Sequence, residues 1–277
     1  MSLKICTIGC GNMANRYHGP SYALYAVTHP DTELLACCDI NAEKAERFRE
    51  RFGFARCYTN IEHMLDRERP DAVCMVVPEA LTCELACRVL QKGYPLLMEK
   101  PPGLTVEETD RMIAAADSSG APTQVAVNRR YAPLVRKLKR ILIEDLPPEQ
   151  IQHVQYDFVR INRTDADFAT TAIHGIDTVR FLAGSNYAHI RFHYQEFPAL
   201  GATTANILMD CTMTSGATAH LSFCPVAGVV IERATVHAHD HTFFLHVPVW
   251  DALDTPGRLQ HLDKGVLALD VDGTQIS

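Results

Sequence analysis

The first half of the chain alternates continuously apolar segments with segments of helical period. Apolar runs at residues 3–8, 33–38 and 71–77 are each followed by a helical pattern, and the alternation continues to residue 127. Strands that are apolar on both faces are typical of a parallel sheet that helices cover on both sides. The pattern therefore predicts a doubly wound α/β (Rossmann) domain over residues 1–127.

The pattern changes in the second half of the chain. Helical patterns over Pro133–Glu144 and residues 168–183 are accompanied by strand-like segments separated by turn signals, at 152–162, 189–195, 205–212, 218–223, 229–237, 242–247 and 266–271. Many strands with few helices favour an α+β domain on a largely antiparallel, open sheet. We therefore predict a second domain over residues 128–277.

The net charge and the cysteines indicate which binding partners and which cellular compartment to expect. The net charge of −7 and the absence of a long basic run argue against nucleic acid as a partner. No stretch approaches the ~18 apolar residues of a membrane span, and the first apolar run is too short for a secretory signal. The ten cysteines form no CxxC pair, and most lie in apolar runs, so we interpret them as buried thiols of a cytoplasmic protein.

A glycine motif follows the first predicted strand. Residues 9–14 read GCGNMA, which has the form GxGxxA between a strand and a helix. Gly9 permits a tight turn and Gly11 lets the backbone approach a pyrophosphate, while free N–H groups at Asn12 and Met13 can bind the phosphates. In this context the motif predicts a dinucleotide site.

An acidic residue at the end of the second predicted strand bears on the choice of dinucleotide. The carboxylate of Asp39 can accept hydrogen bonds from the adenine ribose hydroxyls and would repel a 2′-phosphate. Ile40 follows it, rather than a cation. NAD is therefore favoured over NADP as the cofactor. The alternative is that Asp39 caps the helix that follows.

Two further strand ends carry candidate cofactor residues. Pro78 follows the predicted strand at residues 71–77, and Glu99-Lys100-Pro101-Pro102 follows the one at residues 94–98. The carboxyl ends of parallel strands border the crevice in which such sheets bind ligands. Two prolines keep the backbone at Lys100 extended, which is a poor place for a merely solvated charge. We therefore add Pro78, Glu99 and Lys100 to the cofactor site.

These motifs resemble those of the Gfo/Idh/MocA family, the glucose–fructose oxidoreductase and inositol dehydrogenase superfamily. The resemblance rests on the glycine motif, Asp39, Glu99-Lys100-Pro101, Asn128-Arg129-Arg130-Tyr131 and His174-Gly175-Ile176-Asp177. It implies NAD(P)-dependent oxidation or reduction of a small-molecule substrate, namely a sugar, polyol or related carbonyl compound. It also implies homodimers or homotetramers that form through the open sheet of the second domain.

The resemblance also implies roles for individual residues. Lys100 would hydrogen-bond the reacting oxygen, with Glu99 as its positioning partner. His174 would exchange the hydroxyl proton while a hydride moves to or from the nicotinamide, which suits a group that titrates near neutral pH. Arg130, Thr170 and Asp177 are the remaining candidates for binding the substrate, beside Lys100 and His174 themselves.

The chain departs from the family pattern at three points. Thr170 stands four residues before His174, where the family commonly has an aspartate, and Asp167 is the nearby carboxylate that could replace it. Thr82 stands where a histidine is usual. Relatives also continue further at the C-terminus, so the chain is expected to be short there. An NAD-dependent glycoside hydrolase or a catalytically reduced NAD-binding sensor therefore remain alternatives.

A group of histidines in the second half suggests a metal at first sight. His237, His239 and His241 alternate, as residues on one face of a strand do, and three imidazoles can hold Zn²⁺. However, His239 and Asp240 fall where a hairpin turn should join two strands, which breaks the alternation. We therefore predict no metal site.

Overall fold

The computed structural model describes residues 2–144, 146–164 and 169–276. Within it the chain folds into two compact units, Met1–Ala126 and Val127–Ser277. Eight of the ten cysteines are buried, and all ten are thiols, which agrees with their interpretation as small apolar core residues.

The first unit is a six-stranded parallel sheet with helices, which confirms the doubly wound α/β prediction. The strand order is β3-β2-β1-β4-β5-β6, with β1 at Leu3–Ile8, β2 at Thr32–Cys38, β3 at Arg56–Tyr58, β4 at Ala72–Met75, β5 at Leu96–Met98 and β6 at Thr123–Val125. The helices are α1 (Gly19–Thr28), α2 (Ala42–Phe52), α3 (Ile61–Glu68), α4 (Glu79–Gln91) and α5 (Val106–Ser119). The order reverses at β1, so the carboxyl ends of β1 and β4 meet at the switch point where such sheets bind ligands.

Neighbouring residues of β1 belong to two separate buried clusters. Ile5 packs with Leu34 and Phe48, whereas Cys6 packs with Leu35 and other residues of a second cluster. Since successive side chains of a strand point to opposite faces, the sheet is buried on both faces. This explains why its strands are continuously apolar in the sequence.

The second unit contains an eight-stranded, mostly antiparallel sheet and the helices α6 (Pro133–Glu144) and α7 (Ala169–Ala183). The strand order is β14-β13-β12-β11-β7-β10-β9-β8, with β7 at Ile151–Val159, β8 at Tyr187–Glu196, β9 at Ala205–Met213, β10 at Thr218–Cys224, β11 at Ile231–Ala238, β12 at His241–Val247, β13 at Arg258–Asp263 and β14 at Val266–Asp272. The sequence patterns did not predict β13, because in Arg258–Asp263 Leu259 alone is buried.

Both helices of the second unit pack on one face of this sheet. α6 contacts β12 and β13, and α7 contacts β7 and β10. Along β7, Val154, Tyr156 and Phe158 are buried, whereas the intervening His153, Gln155 and Asp157 are partly exposed. The second face of the sheet therefore carries polar side chains and is the open face that the α+β prediction includes.

A buried charged cluster joins three segments of the second unit. Glu232 of β11 is fully buried and accepts two hydrogen bonds of 2.7 Å from Arg129, one at each carboxylate oxygen. Arg160, 2% exposed, also donates to Glu232, as does the Tyr156 hydroxyl at 3.1 Å. Burial raises the pKa of Glu232, but the two guanidinium groups outweigh it and hold the pKa below its usual range.

Removing the carboxylate of this cluster should strongly destabilise the second unit. Glu232→Ala leaves Arg129 and Arg160 buried without a counter-charge, which should lower the free energy of unfolding by about 3–5 kcal/mol. Urea titration followed by circular dichroism measures the change. The control is Asp270→Ala, since Asp270 pairs with Arg258 at the surface and should matter little. Equal, small decreases in the free energy of unfolding of the two variants would contradict the role of Glu232 as the counter-charge of the cluster.

Candidate functional site

The two glycines of the motif have different surroundings. Gly9 has a φ of +94°, and a Cβ added to it would lie 2.0 Å from the Val76 carbonyl oxygen. The Gly9 N–H also donates to the Cys38 carbonyl at 2.8 Å, which ties the turn to the end of β2. At Gly11 an added Cβ would meet no atom within 4 Å. Gly9 is therefore required by the fold, whereas Gly11 borders open space that a phosphate can approach.

Asp39 joins the glycine turn to the segment after β2. One carboxylate oxygen accepts from the Cys10 N–H and the other from the Asn41 N–H, both at 2.9 Å. Asn41, not Asp39, is the N-cap of α2, because its side chain accepts from the Lys44 N–H. The helix-cap alternative for Asp39 is therefore wrong. Each oxygen retains a second lone pair that can accept from a ribose hydroxyl.

A cavity of about 670 Å³ lies within the first unit beside this turn. Gly9, Gly11, Asp39 and Pro78, all predicted cofactor residues, line it together with an apolar wall that consists of Ile40, Ile61, Val77, Leu81 and Leu85. Its volume is typical of small-ligand sites. An apolar wall suits a base, a carboxylate suits a ribose and a glycine turn suits phosphates, so these residues fit an adenine dinucleotide.

The remaining predicted cofactor residues lie outside this lining. Asn12 and Met13 are the first helical residues after the turn and are exposed, so their N–H groups lie where a pyrophosphate would bind. Lys44, which was not predicted from the sequence, also lines the cavity. The sequence gives only a weak indication that Lys44 belongs to the site, because Lys44 lies inside α2 rather than at a strand end. The cavity thus presents a cation as well as the Asp39 carboxylate.

Glu99 and Lys100 follow β5 at the same edge of the sheet. The Glu99 N–H donates to the Met75 carbonyl at 3.0 Å, and the Glu99 carboxylate accepts from the Lys100 N–H at 3.0 Å. The other carboxylate oxygen lies 2.6 Å from Nε2 of His18, a residue that the sequence analysis missed. Burial raises the pKa of Glu99, but His18 and Lys100 outweigh it, so the pKa lies below its usual range.

The predicted substrate residues of the second unit fall on or beside α7. His174 is 9% exposed, and its carbonyl accepts from the Thr178 hydroxyl at 2.7 Å. Arg130 and Asp177, predicted separately, are paired with each other through both carboxylate oxygens, and the Nε–Oδ2 distance is 2.7 Å. Thr170 lies in the first turn of α7 and is partly exposed. Asp167 lies outside the described residues.

Two further groups of residues that the sequence singled out are Thr82, which stands where the family has a histidine, and the histidines near the turn between β11 and β12. Thr82 is buried in α4. His239 and Asp240 form the turn between β11 and β12, as the hairpin prediction required. Over residues 2–144, 146–164 and 169–276, no three histidine, cysteine or acidic side chains are grouped so as to hold a metal ion. Across the same ranges, no helix is long and apolar enough to cross a bilayer.

The parallel sheet, the GxGxxA turn, Asp39 and the adjoining cavity define a Rossmann-type nucleotide-binding unit. Comparison with known protein families agrees: residues 3–127 match the model of an oxidoreductase family with an NAD-binding Rossmann fold. Residues 3–127 are thus similar to the Gfo/Idh/MocA family of oxidoreductases.

Two curated relatives show how far the similarity in sequence extends. The chain is 30% identical over 130 residues to a D-glucoside 3-dehydrogenase of Escherichia coli, which is 47% of this chain and 36% of that protein. It is 30% identical over 112 residues to the NADP-dependent scyllo-inositol 2-dehydrogenase IolU of Bacillus subtilis, 40% of this chain and 34% of the relative. The matched segment therefore spans about a third of each relative's length.

Two solved structures are similar in fold to this chain over both of its units. The UDP-N-acetylglucosamine 3-dehydrogenase GnnA from Acidithiobacillus ferrooxidans aligns with a TM-score of 0.83 at 20% identity, over all of this chain and 84% of that one. The aldose-aldose oxidoreductase from Caulobacter crescentus aligns with a TM-score of 0.81 at 17% identity, over 97% of this chain and 83% of the other. At these identities the comparison establishes the fold alone.

Replacing each of the two glycines by alanine should affect different properties, namely stability at Gly9 and nucleotide binding at Gly11. Gly9→Ala forces a Cβ against the Val76 carbonyl and should lower the free energy of unfolding by about 3 kcal/mol. Gly11→Ala adds a methyl group in open space, so it should fold normally but weaken NAD binding by about tenfold or more. Urea titration and calorimetric NAD titration measure the two effects. Wild-type NAD affinity in Gly11→Ala would contradict the site.

Proposed function

We propose that the chain is an NAD(P)-dependent oxidoreductase that transfers a hydride between the nicotinamide and a CH–OH carbon of a sugar, polyol or related compound. The observation that carries the proposal is the nucleotide cavity at the end of β1, with Lys100 anchored by Glu99 at the same sheet edge. The relatives named as D-glucoside and scyllo-inositol dehydrogenases support this substrate class.

The proposed roles follow from the chemistry of the two side chains. In the direction of oxidation, the hydroxyl proton passes to His174 and the hydride of the same CH–OH carbon leaves, so a carbonyl forms. The Lys100 ammonium donates to the reacting oxygen and stabilises the negative charge that develops on it. Imidazole can take and return the proton near neutral pH. Bound NAD(P) supplies the hydride acceptor or donor.

The proposed preference for NAD rests on charge in the cavity. The Asp39 carboxylate can accept from both ribose hydroxyls, whereas a 2′-phosphate would bring like charge beside it. Lys44 lines the same cavity, and its ammonium would attract a 2′-phosphate and so favour NADP. We take the carboxylate as dominant, because it is fixed by two backbone N–H groups, while Lys44 is a flexible side chain.

The proposal assigns residues 1–127 to the cofactor and residues 128–277 to the substrate and to self-association. The open polar face of the eight-stranded sheet is the surface through which homodimers or homotetramers would form. Ten thiols support a reducing, cytoplasmic compartment. The molar mass in solution, from sedimentation equilibrium, tests the association, and a monomer at micromolar concentration would exclude it.

Loss of either reacting side chain should abolish turnover. Lys100→Met and His174→Ala should each lower kcat by about a hundredfold or more, because one removes charge stabilisation and the other the proton acceptor. Absorbance of the reduced nicotinamide, over a panel of sugars and polyols, measures this. Lys92→Met is the control, since Lys92 pairs with Asp66 at the surface.

The same panel distinguishes the alternatives. Full turnover in Lys100→Met would overturn the site assignment. NAD binding without turnover on any substrate would favour a sensor. Cleavage of a glycoside without net reduction of the cofactor would indicate the glycoside hydrolase.

Replacing Asp39 should shift the choice of cofactor. The wild type should bind NAD at least about tenfold more tightly than NADP, a difference of roughly 1.4 kcal/mol. Asp39→Ser removes the repulsion and should favour NADP, with Lys44 left to attract its 2′-phosphate. Adding Lys44→Gln should cancel that gain. Calorimetric titration measures the affinities, and tighter NADP binding by the wild type would refute the preference.

A further inference from the structure

A second cavity, of about 590 Å³, lies in the second unit at the carboxyl end of α7. Three cations line it, Arg130, Lys139 and Arg180, and among the described residues Glu149 is the one carboxylate in the lining. His174 precedes Arg180 by six residues of α7, which is roughly 9 Å along the helix axis. The cavity is therefore separate from the imidazole to which the proposed function assigns the proton transfer.

Lys139 lies in this cavity without an acidic partner among the described residues. Its Nζ lies 3.5 Å from the Leu182 carbonyl oxygen, and 5.4 Å from the centroid of the Phe181 ring. Burial lowers the pKa of Lys139, and the nearby charge of Arg130 lowers it further. The ammonium is thus partly desolvated, and a bound anion would offset that cost.

The two arginines of the cavity differ in what their guanidinium groups contact. Arg130 donates to both carboxylate oxygens of Asp177, so its charge is largely balanced. Arg180 is exposed and donates from Nε to the side-chain oxygen of Asn186 at 2.7 Å. A neutral amide orients the guanidinium without cancelling its charge. Arg180 and Lys139 are therefore the cations that an anion would contact directly.

Two hydroxyl groups in the cavity lining supply a further donor. The Ser185 and Thr214 oxygens lie 2.9 Å apart, so one hydroxyl donates to the other. The Ser185 oxygen also accepts from the Ser215 N–H at 2.9 Å, and the Thr214 oxygen accepts from the Asn186 N–H at 3.3 Å. Among the described residues neither hydroxyl donates to a third group, so one hydrogen of the pair can donate to an acceptor in the cavity.

We propose that this cavity binds the phosphate group of a small molecule. A phosphate carries nearly two negative charges, which match the Lys139 ammonium and the Arg180 guanidinium, and its oxygens accept from both side chains and from the hydroxyl pair. The volume lies within the range of small-ligand sites, so a phosphate ester fits as well as the free ion. The inference is independent of the proposed function, because neither Lys100 nor His174 lines the cavity.

Calorimetric titration of the full-length chain with inorganic phosphate tests the proposal. The wild type should bind phosphate with a dissociation constant of about 1 mM or less. Lys139→Met and Arg180→Gln should each weaken binding by about tenfold or more, whereas Glu149→Gln removes a like charge and should strengthen it by about threefold. Arg140→Gln is the control, since it removes a charge from the same helix outside the lining and should change the affinity by less than about twofold.

A second measurement reports on Lys139 in the unaltered chain. Saturating phosphate should slow the acetylation of Lys139 by acetic anhydride by about threefold or more, because the bound anion holds its ammonium. Lys137, which lies on the same helix but outside the lining, should react at an unchanged rate. Mass spectrometry of the digested chain measures both rates, so the test does not depend on how well the variants fold.

Titration with glycerol 3-phosphate identifies the source of the phosphate. Tighter binding than that of inorganic phosphate indicates an ester, and equal or weaker binding indicates the free ion; either result supports the site. No binding at about 10 mM phosphate, or equal losses in Lys139→Met and Arg140→Gln, would overturn the proposal. Displacement of the phosphate by NAD would also overturn it, because the ion would then lie at the glycine turn.

Discussion

The contact between Gly9 and the Val76 carbonyl is the constraint on which the nucleotide site depends. The chain must turn sharply at the end of β1 without a side chain, because the end of β4 occupies the space where a Cβ would lie. Once this turn is set, the Cys10 N–H meets the carboxylate of Asp39 at the end of β2. Three strand ends are thereby fixed around one cavity, and Asp39 is oriented before any ligand binds.

Secondary structure was predictable wherever local signals were strong. The helical patterns predict helices over residues 42–52, 106–119 and 133–144, and α2, α5 and α6 have these bounds in the structure. Caps and turn residues mark the ends of the first two. Asn41 and Thr105 accept hydrogen bonds at two helix starts, and Gly53 and Gly120 take left-handed conformations at the ends. In contrast, β13 was missed, since its stability comes from pairing with β12 and β14 rather than from its own pattern.

The grouping of Gly9, Gly11, Asp39 and Pro78 around one cavity was predictable, because each of them follows the end of a strand in a parallel sheet. The long-range partners of other residues were not. His18 lies 81 positions from Glu99. Arg129 lies 103 positions from Glu232, and no pattern in the sequence joins them. The sequence predicts Arg130 and Asp177 as separate substrate ligands, but the fold pairs them across 47 positions of the chain, and no local pattern connects two residues so far apart.

We propose that a hydride moves directly between a substrate carbon and the nicotinamide. In the test, the protein receives unlabelled NAD and a sugar or polyol that is deuterated at its CH–OH carbons. We expect the reduced nicotinamide to carry one deuterium, as measured by mass spectrometry, and Lys100→Met to yield no deuterated cofactor. Reduced cofactor without deuterium, or bound NAD that is never reduced by any member of the panel, would contradict it.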